Sequence, residues 1–246
     1  MSLKSQYNIS NESGSALVYI LIAIALLAAL TFSFMEPSSQ QTSSQNTFKT
    51  VAALQGQADM IRSAIQECAL SYPKGDGTID SSGGGTDPGA TRNNYPIKPN
   101  STHYDGPPAA SIGKTTGRLA RDIRCPGQQD GANAVDHAKI FSGRSGKFLP
   151  AAPDLFEDWQ YYHGDDGIFF WTYTDKTDAY VVSALTKLDE HFSECEADIV
   201  SSTTNVDLDS DGDTECTGGT ICFRVRMITT GTAEWNGDVD LDESSC

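Results

Sequence analysis

The stretch NESGSALVYILIAIALLAALTFSFMEP, residues 11–37, decides the fold that this sequence predicts. From Ser15 to Met35 it has no charged side chain, and Gly14 and Pro37 frame it on either side. A helix of that length is roughly 30 Å long, which matches the hydrocarbon layer of a membrane. The sequence therefore predicts a transmembrane helix at this point in the chain.

The flanks of this stretch argue against a secretion signal that is cleaved and lost. Lys4 is the only basic side chain ahead of it, and the residues after it, MEPSSQQ, contain no small-x-small cleavage site. Because basic residues favour the cytoplasmic side, we expect the N-terminus in the cytoplasm and the rest of the chain outside. The plainest interpretation is a retained signal anchor.

The part of the chain after this stretch is acidic and contains all six cysteines. The chain of 246 residues has 33 acidic residues and 17 lysines and arginines, so its net charge is −16. Such a surface repels nucleic-acid phosphates, and we expect no nucleic-acid partner. An even number of cysteines without a CxxC pair predicts disulfides formed in an oxidising compartment. The six are Cys68, Cys125, Cys195, Cys216, Cys222 and Cys246.

A second helical pattern follows a polar segment. SSQQTSSQNT, Ser38 to Thr47, is poor in strong helix formers and predicts a flexible joint. Beyond it, apolar residues recur at three- and four-residue spacing, which predicts an amphipathic helix to about residue 70. Its expected apolar face consists of Phe48, Val51, Ala52, Ala58, Ile61, Ile65 and Ala69.

The order of these features resembles the type IV pilin and pseudopilin family. A short polar leader ends in a glycine, an apolar helix starts at once, a proline follows, and an amphipathic helix comes next. The resemblance covers roughly residues 1–70 and implies that a prepilin peptidase cuts between Gly14 and Ser15. In that family the new N-terminal residue is methylated, and the cut removes the leader, here residues 1–14.

The resemblance also implies a fold and an assembly. The fold would be α+β, with one long N-terminal helix packed on an antiparallel β-sheet. Residues 15–36 would anchor the subunit in the inner membrane and then form the filament core, and residues 37–70 would continue the helix. Copies of the chain or other pilin-like subunits would pack through residues 15–70 in a bacterial cell-surface filament. Residues 71–246 would form the globular head.

The sequence departs from the family pattern near the implied cut. Glu12 and Ser13 stand where a basic residue usually precedes the glycine, and Ser15 replaces a bulky first residue. Tyr19 occupies the place of a glutamate thought to neutralise the N-terminal amine of a neighbouring subunit. A buried unpaired ammonium is costly. Tyr19 therefore indicates a minor or tip-located subunit, or a branch that handles this charge differently.

The head begins with a segment of loop composition. Residues 72–108 are rich in Gly, Ser, Pro, Asp and Asn, which predicts a long surface loop that buries little apolar area. RLARDIRCPG, Arg118 to Gly127, then predicts a short helix or strand. A bridge from Cys68 to Cys125 would tie this excursion to the long helix, although six cysteines allow many pairings.

Aromatic and apolar patterns predict the core of the head. DWQYYH, GDDG and GIFFWTYT read as strand, turn and strand, with aromatic side chains in a sheet core rather than in a carbohydrate or base platform. A helix is predicted next, capped by Thr177 or Asp178, and then a strand in TICFRVRMIT. The helix places Val181, Leu185, Leu188 and Phe192 on one face. The strand directs Ile221, Phe223, Val225 and Met227 inward and Cys222, Arg224 and Arg226 to the other face.

An acidic turn predicts a metal site. NVDLDSDGDTE resembles the start of an EF-hand calcium loop, because carboxylates at alternate positions around a glycine can surround a hard cation. The position of the closing glutamate is Gly218, so the last ligand would be Glu215 or a distant Asp238, Asp240 or Asp242. The other interpretation is a solvated acidic turn. The expected Ca²⁺ ligands are Asp207, Asp209, Asp211, Asp213 and Glu215.

The sequence motifs that could indicate catalysis are incomplete. GKTTG at Gly113 lacks the first P-loop glycine, since that place is Pro108, and SGRSG around Ser145 is not the GxSxG of hydrolases. We expect no enzyme. The histidines show no paired-ligand spacing, which predicts surface positions for His103, His137, His163 and His191.

These patterns predict a structural subunit of a type IV pilus-like filament in the bacterial envelope or outside the cell. The alternative is a single-pass, disulfide-bonded surface domain that binds a ligand or adhesion partner and never polymerises.

Overall fold

The computed structural model describes most of the chain between Ser13 and Thr229, and side chains of residues 13–15, 33–41, 102, 129 and 229 lie outside the description. Two compact units are present, Met1–Asn46 and Thr47–Cys246. The described ranges are 13–77, 79, 92–99, 101–104, 118–129, 137–143, 145–164, 167–193, 195–201, 203–208 and 214–229.

One long helix, α1, extends over Ser13–Ser71. The polar segment Ser38 to Thr47 is part of it, so the prediction of a flexible joint there is wrong for the backbone. Serine, threonine and glutamine cost only a few tenths of a kcal/mol each in a helix, roughly up to 0.7 kcal/mol. Helical flanks on both sides are therefore enough to carry the helix through this segment.

The described side chains in the first part of α1, residues 16–32, are all exposed within the chain. We call residues 16–32 the apolar segment. Its large apolar side chains are between half and three-quarters exposed and point in every direction around the helix axis. Among the residues that the structure describes, no helix combines the length and the apolar character that a membrane crossing requires. The predicted span over 15–36 includes positions 15 and 33–36, whose side chains are not described.

The second part of α1 has one buried face. Buried positions alternate at four and three residues from Thr47 onward, as an amphipathic helix requires. Phe48 and Ala52 are exposed, so their assignment to the apolar face is wrong, because each is one residue out of this register. The buried residues are Thr47, Val51, Leu54, Gln57, Ala58, Ile61, Ala64, Ile65, Cys68 and Ala69.

Two antiparallel sheets and a second helix complete the described fold. The smaller sheet pairs β1 with β2, and the larger has the order β3-β4-β6-β5. The predicted hairpin is confirmed, with Tyr161 opposite Phe170 in the β3–β4 register. The elements are β1 Arg124–Gln129, β2 His137–Lys139, β3 Gln160–Gly164, β4 Gly167–Thr174, α2 Ala179–Asp189, β5 Ala197–Ser201 and β6 Ile221–Thr229.

Both faces of the larger sheet are buried. One face joins α1 and α2 in the main core, which includes Ile61, Trp159 and Phe223. The other face forms a second cluster that includes Phe169, Trp171 and Cys222. The predicted alternation of β6 is confirmed, and so is the placement of the aromatic residues in a sheet core. Burying large rings on both faces gives this sheet most of its packing energy.

Helix α2 and the disulfides agree with the sequence, except that α2 ends at Asp189 and Phe192 lies beyond it, partly buried against the main core. Asp178 occupies the N-cap position of α2, although its side chain makes no capping hydrogen bond. Disulfides join Cys68 to Cys125 and Cys216 to Cys222, so the predicted bridge from α1 to β1 is confirmed. Cys195 is also disulfide-bonded, and Cys246 lies outside the described residues. The buried face of α2 consists of Val181, Ala184, Leu185 and Leu188.

The loop region has a core of its own. Ile79, Ile97 and Tyr104 form a buried cluster, which corrects the prediction that residues 72–108 bury little apolar area. The segment also contacts the larger sheet, because the Pro96 carbonyl accepts a hydrogen bond from Tyr161 Oη. The described parts of this segment are thereby held against the fold.

Candidate metal centre

The first residue of the candidate site, Asp76, follows the end of α1 in a tight turn. Gly75 has φ of 52°, a left-handed conformation that favours glycine. The Gly75 N–H donates to Tyr72 O at 2.8 Å, and the Asp76 N–H donates to Asn93 O at 3.3 Å. These backbone contacts hold the turn at Asp76 against the end of α1 and against Asn93.

The second residue, His103, lies in a short 3₁₀ helix, Thr102–Tyr104. Its backbone N–H donates to Ser101 Oγ at 3.1 Å, which holds the start of that turn. The third residue, His137, begins β2. Its carbonyl accepts a hydrogen bond from Arg124 Nη1 of β1 at 2.8 Å. Three separate chain segments therefore contribute one side chain each.

The three side chains converge. His137 Nε2 lies 2.8 Å from Asp76 Oδ2, and His103 Nε2 lies 3.4 Å from the same oxygen. One ligand atom from each residue lies within 4.8 Å of the other two. The two imidazole rings stack with centroids 5.5 Å apart and planes inclined by 29°. The side chains are 9%, 7% and 0% exposed for Asp76, His103 and His137.

The prediction that the histidines lie on the surface is wrong for three of them. His103 and His137 belong to this cluster, and His163 is buried beneath the loop region. Only His191 is exposed, as predicted, among the four. Sequence spacing gave no signal, because His137 is 61 residues from its partner Asp76. The one available hint was the predicted bridge at Cys68, eight or so residues before Asp76, which draws these segments together.

His163 is a buried histidine outside the cluster. Its Nδ1 lies 2.7 Å from Pro96 O, and since a carbonyl can only accept, Nδ1 carries the proton. Burial lowers the pKa of His163 from 6.5 to about 3, with a further lowering from the charges of Arg92 and Lys98. The hydrogen bond to Pro96 opposes that shift. His163 is therefore a neutral structural group at physiological pH.

The acidic turn is described only at its ends. Asp207 is half-buried, while Asp209, Asp211 and Asp213 lie outside the described residues. Glu215 pairs with Arg118 Nη1 at 2.6 Å and accepts the Leu208 N–H at 2.8 Å. Both oxygens of Glu215 are thus engaged with the protein, and calcium binding at this turn stays a prediction.

The predicted processing residues lie in α1. Gly14 and Ser15 are near its start, and their side chains are outside the description. Tyr19 is exposed within the apolar segment. The implied cut between Gly14 and Ser15 stays a prediction.

Two imidazoles and one carboxylate form a donor set with known chemistry. Such N₂O sites bind Zn²⁺ and other divalent first-row metals, whereas Ca²⁺ and Mg²⁺ prefer oxygen ligands alone. The same three groups can also form a metal-free cluster of one carboxylate between two histidines. No protein-family model, curated protein or solved structure matches the chain.

Proposed function

We propose that this chain is a structural subunit of a type IV pilus-like filament, assembled through its N-terminal helix. The observation that carries the proposal is helix α1, Ser13–Ser71, in which the apolar segment 16–32 is followed by a buried amphipathic part. The first part offers a surface for association, and the second part belongs to the core of an α+β head.

Exposed apolar area supplies the driving force. Leu17, Leu21, Ile24 and Leu27 each expose half or more of their surface. Burying a side chain of this size against other subunits contributes about 1.5–3 kcal/mol. Because the apolar side chains surround the helix axis, one contact with a single neighbour leaves most of them in water. A packed bundle of several such helices covers them all.

The head meets the demands of an extracellular structure. Its disulfides suit an oxidising compartment. The chain's net charge of −16 keeps the heads soluble and apart. The filament contacts are therefore assigned to α1 rather than to the acidic surface.

N-terminal sequencing tests the proposal. The full chain is coexpressed with a prepilin peptidase, and material sheared from the cell surface is sequenced and viewed by electron microscopy. We expect a mature chain that begins at Ser15 and filaments in the sheared fraction. In Gly14→Trp the bulky side chain at the cut should leave the leader attached. An intact leader on the unaltered chain would favour the anchored, non-polymerising surface domain.

A charge in the apolar segment tests the assembly step separately. Ile24→Asp places a carboxylate where the proposed bundle is dry, so filaments should be lost while the chain is still processed. Gln45→Asp adds the same charge at an exposed position of α1 and serves as the control. Filaments formed equally well by both variants would show that the apolar segment is not the assembly surface.

A further inference from the structure

We propose that Asp76, His103 and His137 bind one Zn²⁺ ion, which fastens the loop region to the small β1–β2 sheet. This site is separate from the apolar segment and from the acidic turn. It goes beyond the proposed filament function, because a head can hold a structural metal whether or not the chain polymerises.

The two distances to the Asp76 carboxylate are close to those around a tetrahedral metal, and all three ligand atoms lie within 4.8 Å of one another. Zinc bonds of about 2.0–2.2 Å place neighbouring ligand atoms roughly 3.3–3.5 Å apart. His103 Nε2 already lies 3.4 Å from Asp76 Oδ2, and His137 Nε2 lies 2.8 Å from it. As the metal enters, His137 Nε2 releases the proton it donates to Asp76 Oδ2 and moves about half an ångström away from that oxygen, and a water takes the fourth position.

The burial of His103 Nε2 also favours a bound metal ion. His103 Nε2 is buried and makes no hydrogen bond within the described residues, although it faces the Asp76 carboxylate. A buried polar atom without a hydrogen bond destabilises the fold. A metal ion at the centre of the three groups uses the lone pair of this nitrogen. A hydrogen bond between Asp76 and His137 alone does not use the lone pair of His103 Nε2.

The donor type favours a transition metal such as zinc over calcium. Neutral imidazole suits zinc, copper and nickel, and a single carboxylate supplies too few oxygens for calcium. Arg124 lies close by, with its guanidinium 5.9 Å from the Tyr104 ring and one nitrogen on the His137 carbonyl. Its positive charge opposes any cation at this site, so the affinity has to come from the two imidazole nitrogens and the Asp76 carboxylate.

The origin of the ligands gives the metal its role. Asp76 and His103 lie near the two ends of the loop region, residues 72–108, and His137 is in β2. The Cys68–Cys125 bridge already joins α1 to β1. The metal adds a second cross-link, between the loop region and β2. Because the ligands are far apart in the chain, binding selects the folded state and stabilises it.

Metal content of the full chain tests the proposal. The protein is purified in detergent with its disulfides formed, stripped with a chelator, incubated with ZnCl₂ in excess CaCl₂, and desalted. Calcium occupies carboxylate-only sites during this step. We expect one zinc per chain by elemental analysis, and a rise in Tm of about 5 °C or more at saturating zinc.

Variants assign the ligands. His103→Ala and Asp76→Asn should weaken zinc binding at least about 100-fold, because even residues behind a ligand cost 10–100-fold. His191→Ala removes an exposed histidine and should bind like the parent. If His103→Ala fails to fold, His103→Gln replaces it. Cobalt absorption of the unaltered chain needs no variant and should show the intense visible bands of a four-coordinate site.

Two results would overturn the proposal. One is a parent chain that retains no zinc and shows no cobalt bands. The other is zinc retained equally by His103→Ala and His191→Ala, which would place the metal elsewhere and leave Asp76 and the two histidines as a metal-free cluster.

Discussion

Gly75 shows how one backbone position sets the candidate site. A Cβ at this residue would lie 1.9 Å from Asn93 O, a backbone atom that cannot move aside cheaply, and φ is 52°. We predict that Gly75→Ala lowers the stability by at least about 1–2 kcal/mol. Thermal unfolding followed by circular dichroism should show a Tm several degrees below that of the parent.

Gly77 is the matched control on the other side of Asp76. A Cβ there meets no atom within 4 Å of the described structure. Gly77→Ala should therefore change Tm little, or raise it slightly by restricting the unfolded chain. Equal losses in Gly75→Ala and Gly77→Ala would contradict the close approach to Asn93.

His163 makes stability depend on pH. Burial lowers the pKa of His163 in the folded chain to about 3, whereas the unfolded chain binds this proton near pH 6.5. The unfolded state therefore gains a proton first, and stability falls as pH drops from 6.5 toward 3. The loss from this group should reach about 2 kcal/mol at pH 5. Unfolding measured between pH 7.5 and 5 checks it.

Replacing the imidazole of His163 separates its contribution to the pH dependence of stability from that of the other histidines. His163→Asn keeps an N–H near Pro96 O but does not titrate, so its stability should depend less on pH over the same range. His191→Asn alters an exposed histidine and should keep the parent's slope. A parent-like slope in His163→Asn would refute the assignment.

At the level of elements, β5 and β6 are joined by a buried ion pair. Arg224 Nε and Nη2 donate to the two oxygens of Asp198 at 3.0 and 2.5 Å, and the side chains are 0% and 1% exposed. Removing one partner leaves a buried charge, which costs about 3–5 kcal/mol. We predict that Asp198→Ala lowers Tm by roughly 6–20 °C, measured by thermal unfolding.

An exposed ion pair provides the comparison. Arg121 Nη1 lies 2.6 Å from Asp158 Oδ2, with side chains 51% and 34% exposed. Surface pairs contribute about 0–1 kcal/mol, so Arg121→Ala should shift Tm by only a few degrees at most. A small shift in Asp198→Ala, close to that of Arg121→Ala, would show that water reaches the pair between β5 and β6.

The two described disulfides should differ in effect because they close loops of different length. Cys68–Cys125 spans 57 residues and Cys216–Cys222 spans 6. Chain-entropy estimates are about 4 kcal/mol for the long loop and about 2 kcal/mol for the short one. We predict that the Cys68→Ser, Cys125→Ser double variant loses more Tm than Cys216→Ser, Cys222→Ser. The reverse order would show that strain or packing outweighs loop closure.

Sequence alone predicted the elements that local patterns encode. The hairpin β3–β4, helix α2 and strand β6 follow from aromatic runs and from apolar spacing of two or three to four residues. Phe48 was misassigned, because its spacing fits a helix face but the buried register starts one residue earlier at Thr47. Local periodicity predicts that a helix has an apolar face more reliably than it predicts which residues lie at the edge of that face.

The candidate metal centre could not be predicted in the same way. Asp76, His103 and His137 show no ligand spacing, and only tertiary structure brings them together. The sequence drew attention instead to the acidic turn, where the carboxylates are adjacent. The contrast has a physical cause: local motifs record sites built on one loop, whereas a site assembled from three segments leaves no period in the sequence.

On the scale of the whole molecule, apolar attraction and charge repulsion act on different parts of the chain. In the proposed filament the apolar segment drives association, and the net charge of −16 belongs to the residues after it. If heads come close in a filament, their like charges oppose assembly. The balance between apolar attraction and charge repulsion should therefore depend on ionic strength.

We predict that salt promotes filament formation by the full chain. The Debye length falls from about 30 Å at 0.01 M to about 10 Å at 0.1 M salt, so repulsion between neighbouring heads is screened while apolar burial is unaffected. Filament length and number, counted by electron microscopy after detergent removal, should rise between 10 and 150 mM NaCl. Ile24→Asp should form none at either concentration. Filaments that dissolve as salt rises would instead mean that attractive ion pairs between heads, rather than the apolar segment, hold the subunits together.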